Sequence, residues 1–201
     1  MLLDYCATNP NGKIHFHASD MILHVDTDAA YLVLPQARSR IAGYFYLSNL
    51  PSQIGKPHAK FNGAIHMESR TLKYVAASAA EAETGRLFHN SKIALPIRQM
   101  LTDLGHPQPQ TPIKTKNSTA YTFVNQTMKR KMSKSWDMRY NWLRDADVLK
   151  KLLRIWWEKG TKNLADYFTK HFSPKIHKEK RTKYMNNHVC STALLSARVC
   201  Y

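Results

Sequence analysis

An α/β fold, with a mixed sheet flanked by helices, is predicted for this 201-residue chain by three features of its pattern. Strand-like segments joined by short connections come first, between residues 23 and 72, as in an antiparallel meander. Helix and strand then alternate to about residue 170, which adds further strands to a sheet with helical cover. Hydrophobic residues make up 43% of the chain and are spread along it, enough for one folded domain whose core needs no metal or disulfide.

The elements follow in order. Residues 23–34 alternate β-branched and apolar positions at Val25, Thr27 and Ala29, and Pro35 ends the run. Residues 40–48 are aromatic-rich and bounded by Asn49 and Pro51, and residues 64–72 form a third strand. Between Ser78 and Leu104, residues Ala79, Ala82, Leu87, Ala94, Ile97 and Leu101 recur near a period of 3.6, which predicts a long helix stopped at Gly105 and kinked or divided at Pro96. Residues 111–115 read as a short strand, and Asn117-Ser118-Thr119 can cap a helix to about Met128. Residues 136–153 are helical in pattern, Ile155-Trp156-Trp157 is a last strand, Gly160 a turn, and residues 162–170 a final helix. From Ser173 periodicity fades, which predicts a loose tail.

Thirty Lys and Arg against fourteen Asp and Glu give a net charge of +16 and point to a polyanionic partner, with nucleic acid ahead of a membrane surface. Eleven Lys or Arg against three acids between Lys150 and Lys183, and the run Lys129, Arg130, Lys131 and Lys134, are candidate nucleic-acid contacts, although each alone also fits a solvated surface. Cys6, Cys190 and Cys200 are odd in number and lack zinc-ligand spacing, which fits a reducing intracellular setting, cytoplasmic or nuclear. The first residues lack signal-peptide character, and no run of 18 apolar residues predicts a membrane span.

Few chemistries are open to these residues. There is no Gly-x-Ser-x-Gly elbow, no P-loop, no Gly-x-Gly-x-x-Gly, and no His-Glu-x-x-His among ten histidines. Carboxylates remain. Asp26 and Asp28 lie two apart in a strand and share one face, which fits metal ligation but also an edge position facing water. Glu81 and Glu83 diverge by about 200° on a helix, so only one can face a given site; either can simply favour the positive end of the helix dipole. Asp166 stands near a helix start, with the same two readings.

These pieces stand in a familiar order. The run from His24 to Tyr31, followed by Ala37-Arg38-Ser39-Arg40-Ile41-Ala42-Gly43-Tyr44-Phe45, resembles the opening of ribonuclease H domains in copia-type retrotransposon Pol polyproteins. Residues 78–83 resemble that family's Ser-(Ser/Thr)-x-Glu-Ala-Glu helix start, and residues 115–120 its Thr/Cys-Asp-Asn-x-x-Ala segment except at Lys116. Residues 136–144 resemble its Ile-Asp-x-Arg-Tyr-x-x-Ile-Arg stretch, and residues 163–170 its Leu-Ala-Asp-x-Phe-Thr-Lys signature. The five motifs are colinear over residues 20–171.

The resemblance implies a ribonuclease H-like fold with a five-stranded mixed sheet, and hydrolysis of the RNA strand of RNA–DNA hybrids by two Mg²⁺ or Mn²⁺ ions. It implies metal-binding catalytic roles for Asp28, Glu83 and Asp166, with Asp26 the lesser candidate. It also implies a division into an N-terminal connection at residues 1–20, a ribonuclease H-like domain at 21–172, and a basic tail at 173–201, downstream of a reverse transcriptase in a parent polyprotein. Lys116 departs from the pattern at the third carboxylate position. An ammonium there opposes a cation by about 4 kcal/mol per unit charge at 4 Å and an effective dielectric of 20, doubled for a divalent ion. Reduced or lost cleavage is therefore expected, as in a degenerate copy; Arg86, in a helix turn that the family fills with small or apolar residues, is a further departure. Competing readings are a non-catalytic nucleic-acid-binding module and an unselected retroelement relic.

Overall fold

The computed structural model describes residues 2–49, 61–118, 121–122, 134–158 and 163–185. Residues 17–171 form one compact unit, and the segments before and after it belong to a second. Five strands, β1 (Ile22–Leu34), β2 (Arg38–Ser48), β3 (Ala64–Thr71), β4 (Thr111–Thr115) and β5 (Leu153–Trp157), make one sheet in the order β3-β2-β1-β4-β5. β1 runs antiparallel to β2, and β2 to β3, while β4 is parallel to β1 and β5 to β4.

β1 is central, and every residue from Ile22 to Ala29 is buried. The pleat divides these residues between two faces. Leu23 and Val25 join Phe45, Leu87, Ala94, Ile113, Leu143, Leu153 and Ile155 in the main core. His24, Asp26 and Asp28 take the other face, where burying two carboxylates requires partners. That face carries the two strand aspartates singled out in the sequence.

Helix α2 (Ala79–Asp103) is fixed at both ends by its own sequence. Ser78 Oγ accepts from Glu81 N at 3.1 Å, and Glu81 returns a carboxylate to Ala77 N at 2.8 Å, a reciprocal cap. At the far end Gly105 takes φ +88°, and His106 N and Gly105 N donate to Leu101 O and Thr102 O, closing a Schellman turn. The expected division at Pro96 does not occur. Leu87 and Ala94 before it and Leu101 after it pack in one core, which holds the helix across the missing hydrogen bond. A Cβ on Gly43 of β2 would lie 2.6 Å from Asn90 Oδ1, so glycine permits the contact in which Asn90 donates to Ala42 O at 3.0 Å.

Three other expectations are corrected. Helix α3 (Lys134–Arg144) passes into a π-helical turn, Asp145–Leu149, and Lys151 at φ +51° then turns the chain, so Leu153 belongs to β5 and not to the helix. The final helix of the domain shrinks to α4 (Asp166–Thr169), because Asn163 and Leu164 are tied to β1 instead. Past Ser173 the chain is not loose throughout: α5 (Pro174–Arg181) forms with proline in its first turn, and Arg181 donates to Tyr5 OH at 3.0 Å and Asn9 Oδ1 at 2.7 Å beside helix α1 (Leu2–Thr8). Gly160 and most of the helix expected after Asn117 lie outside the described residues. Among the described residues, no helix is long and apolar enough to cross a membrane.

Candidate functional site

Parallel pairing of β1 with β4 sets Asp26 opposite Lys114, so the next residues on the same face, Asp28 and Lys116, stand side by side one step further along. Lys116 Nζ lies 2.7 Å from Asp28 Oδ1 and 2.9 Å from Asp166 Oδ1. One ammonium thus bridges two of the carboxylates singled out in the sequence. Burial works against its charge, but the hydrogen bonds and charges of Asp28 and Asp166 outweigh burial and push the Lys116 ammonium above its ordinary value.

Asp28 has no solvent exposure. Its second oxygen accepts the hydroxyl of Thr169 in a short hydrogen bond from α4. α4 also presents Asp166, whose Oδ1 meets Lys170 Nζ at 2.7 Å besides Lys116. Burial would raise the Asp166 carboxyl, but the hydrogen bonds from Lys170 and Lys116 and their charges hold it below the usual carboxylate range. The approach to α4 is anchored on β1: Asn163 Nδ2 donates to Thr27 O at 2.8 Å, and Leu164 N to Asp26 Oδ2 at 3.0 Å. Trp157, at the end of β5 and half exposed, donates its indole N–H to Lys116 O at 3.0 Å.

Glu83 joins through an intermediary. Glu81 is spent on the cap, and Glu83, the other acid of the pair, is buried facing Arg86 one turn on, in close ion contact. The Arg86 guanidinium, fully buried, donates to Thr115 Oγ1 at 2.7 Å and lies 3.8 Å from Asp28 Oδ1. Burial pushes the Glu83 carboxyl above its usual value, against the pull of Arg86.

One step along β1 a second cluster repeats the pattern. Lys114 Nζ lies 3.6 Å from Asp26 Oδ1, 3.4 Å from Glu158 Oε2 and 3.4 Å from Tyr46 OH. Desolvation raises the Asp26 carboxyl, and Lys114 opposes it. Lys114 in β4 and Lys116, one residue past its end, are therefore each set between two carboxylates.

No protein-family profile matches the chain. Its sequence is 27% identical over 171 residues to the retrovirus-related Pol polyprotein from transposon TNT 1-94 of Nicotiana tabacum. That match covers 84% of this chain and 12% of the polyprotein, so the chain spans a small part of its relative's length. Among solved structures it is similar to an RNase H1 isolated from compost (TM-score 0.49, 12% identity, 74% of this chain and 92% of that one). It is also similar to the N-terminal RNase H domain of a Mycobacterium tuberculosis protein (TM-score 0.46, 10% identity, 81% and 96%) and to the foamy virus RNase H domain (TM-score 0.46, 16% identity, 76% and 93%). Five strands in one mixed sheet match the architecture that the sequence motifs imply. Such a sheet is the one expected from the sequence resemblance to ribonuclease H domains.

In this domain, Asp28, Asp166 and Lys116 are in direct contact, and Glu83 reaches the group through Arg86. The expected nucleic-acid contacts are less accessible to description: Lys129, Arg130 and Lys131 lie outside the described residues, and Lys134 opens α3 with its side chain outside them too. Sequence reasoning missed the roles of Lys114, Thr169 and Lys170. Lys114 carried a usable signal, since alternation in β4 puts it on the same face as Lys116. Arg86 stood out only as an irregular charge, whereas the structure makes it the partner of Glu83.

Proposed function

We propose that this domain is a nucleic-acid-binding module of retrotransposon Pol origin, directed to RNA–DNA hybrids, in which hydrolysis of the RNA strand is reduced or lost. The observation behind this reading is the ammonium of Lys116 between Asp28 and Asp166. A two-metal hydrolysis needs carboxylate oxygens open to hard cations. Divalent ions do not fit the residues as they stand: Asp28 is engaged by Lys116 and Thr169, Asp166 by Lys116 and Lys170, and Glu83 by Arg86. A divalent ion within about 4 Å of the ammonium meets roughly 8 kcal/mol of repulsion at an effective dielectric of 20.

Binding does not share this defect. Three cations, Lys116, Arg86 and Lys170, offset the three carboxylates, so the site presents no net negative field to a phosphate backbone. A chain at +16 supplies the long-range attraction, and the shape of a hybrid, rather than its base sequence, is what such a surface reads. In a Pol polyprotein the domain would act beside a reverse transcriptase.

A cleavage assay on an RNA–DNA hybrid with Mg²⁺ or Mn²⁺ tests the reading. The unmodified chain should bind hybrid and leave the RNA strand intact, while Lys116→Asp should gain cleavage. Robust cutting by the unmodified chain overturns it.

A further inference from the structure

We propose that Lys116 and Lys170 form a built-in phosphate contact, through which the domain holds a nucleic-acid backbone without any divalent ion. This rests on the hybrid-binding reading above and names the site and its ligand: a backbone phosphate at the place where the related enzymes' carboxylates would gather metal.

The three carboxylates alone would repel a phosphate. In this chain the neutralising charges are covalently attached, and they differ in reach. Arg86 is fully buried and spent on Glu83 and Thr115, so it balances charge without touching a ligand. Lys116 and Lys170 share Asp166 Oδ1, and their side chains are 25% and 47% exposed. An ammonium has three N–H donors. Among the described residues Lys116 meets two carboxylates and Lys170 one, fewer than the donors each ammonium carries. Two ammonium groups on one carboxylate oxygen, both reachable by solvent, make a paired cationic lip above a neutral floor. Trp157, half exposed, donates its N–H to the backbone oxygen of Lys116, and an exposed indole is suited to stack on a base or sugar.

The placement is also fixed from beneath. Asp28 cannot move away, since Thr169 holds its other oxygen, and Asp166 belongs to a helix whose entry is bonded to β1 through Asn163 and Leu164. The lysines are therefore positioned by buried groups rather than drifting on a surface, and lose less freedom when a phosphate docks.

Fluorescence anisotropy with a labelled RNA–DNA hybrid tests this, using the full chain, Lys170→Gln and Lys116→Gln, each in EDTA and in Mg²⁺ over a range of salt. The full chain should bind equally, within about twofold, in EDTA and in Mg²⁺. Each neutralised phosphate contributes close to one unit to the log–log salt slope, so Lys170→Gln should reduce that slope by about 1. Lys170→Gln removes the more exposed contact and spares the Lys116–Asp28 pair, so it reads the contact even if Lys116→Gln fails to fold. A tenfold loss of affinity in EDTA, or an unchanged slope in Lys170→Gln, overturns the inference while hybrid binding itself stands. Absence of binding by the full chain under both conditions overturns the inference together with the reading it rests on.

Discussion

The guanidinium of Arg86, in the second turn of α2, crosses to the last residue of β4 and donates to Thr115 Oγ1 at 2.7 Å. Among the described residues it is the largest fully buried side chain. Breaking a buried pair by removing one partner costs about 3–5 kcal/mol, because an uncompensated charge stays behind. Arg86→Ala strands Glu83 and opens a void, so urea unfolding should show a loss in that range. Arg86→Lys should rescue little of it, since one ammonium cannot serve Glu83 and Thr115 together as a planar fork does. A loss below about 1 kcal/mol for the alanine variant would contradict the account.

Lys116→Asp should fold less stably in EDTA, by about 3 kcal/mol, from three acids crowded at the end of β1. For a domain of this size that is a drop of roughly 6–12 °C in melting temperature. Adding Mg²⁺ should restore part of the drop in this variant and leave the unmodified chain unaffected. Equal Mg²⁺ responses in a thermal melt would count against the site described here.

Asp166 titrates below the ordinary carboxylate range in the folded chain. A depressed folded value means stability that is present above the unfolded value, near pH 4, and lost as pH falls through the folded one. Melting curves of the unmodified chain and Asp166→Asn should therefore differ at pH 6–7 and converge toward pH 2–3. Lys116 has the opposite sign: its folded value is raised, so its contribution is complete below the unfolded value, about 10.5, and fades as pH climbs past the folded one. A gap between the two proteins that widens in acid would refute the assignment.

Lys114→Met should destabilise at pH 7 by about 2 kcal/mol, because Asp26 and Glu158 lose their shared cation. The cost should shrink as pH falls, because burial already raises the Asp26 carboxyl and its protonation removes a charge that Lys114 balances. Adding Asp26→Asn should recover part of the stability at pH 7. Additive losses in a double-mutant cycle would show that the two side chains are not coupled.

Much of this was readable in the sequence, for reasons that differ by element. β1 followed from alternation and Pro35, β2 from its aromatics and the Asn49 and Pro51 beyond them, β4 from the proline-rich loop before it, and both ends of α2 from Ser78 and Gly105, whose chemistry is local. Pro96 does not divide α2, because a core on both sides outweighs one lost hydrogen bond. Residues 28, 83, 116 and 166 could be grouped only by resemblance, since nothing in their spacing brings them together. Thr169 and Lys170 became visible only once α4 was seated on β1, whereas Lys114 could have been read from alternation in β4. The helix at 174–181 was missed because its stability comes from Arg181 meeting Tyr5 and Asn9, partners more than 170 positions away.

The bonds that seat the loop before α4 and α4 itself on β1 join Thr27 to Asn163, Asp26 to Leu164 and Asp28 to Thr169, across 136, 138 and 141 residues. During synthesis the central strand must wait for almost the whole domain to leave the ribosome before its two aspartates are covered. Until then the nascent chain carries them exposed or wrongly paired, so assembly should be late, slow and sensitive to chaperones, and truncation just before residue 163 should be more damaging than the few residues removed would suggest.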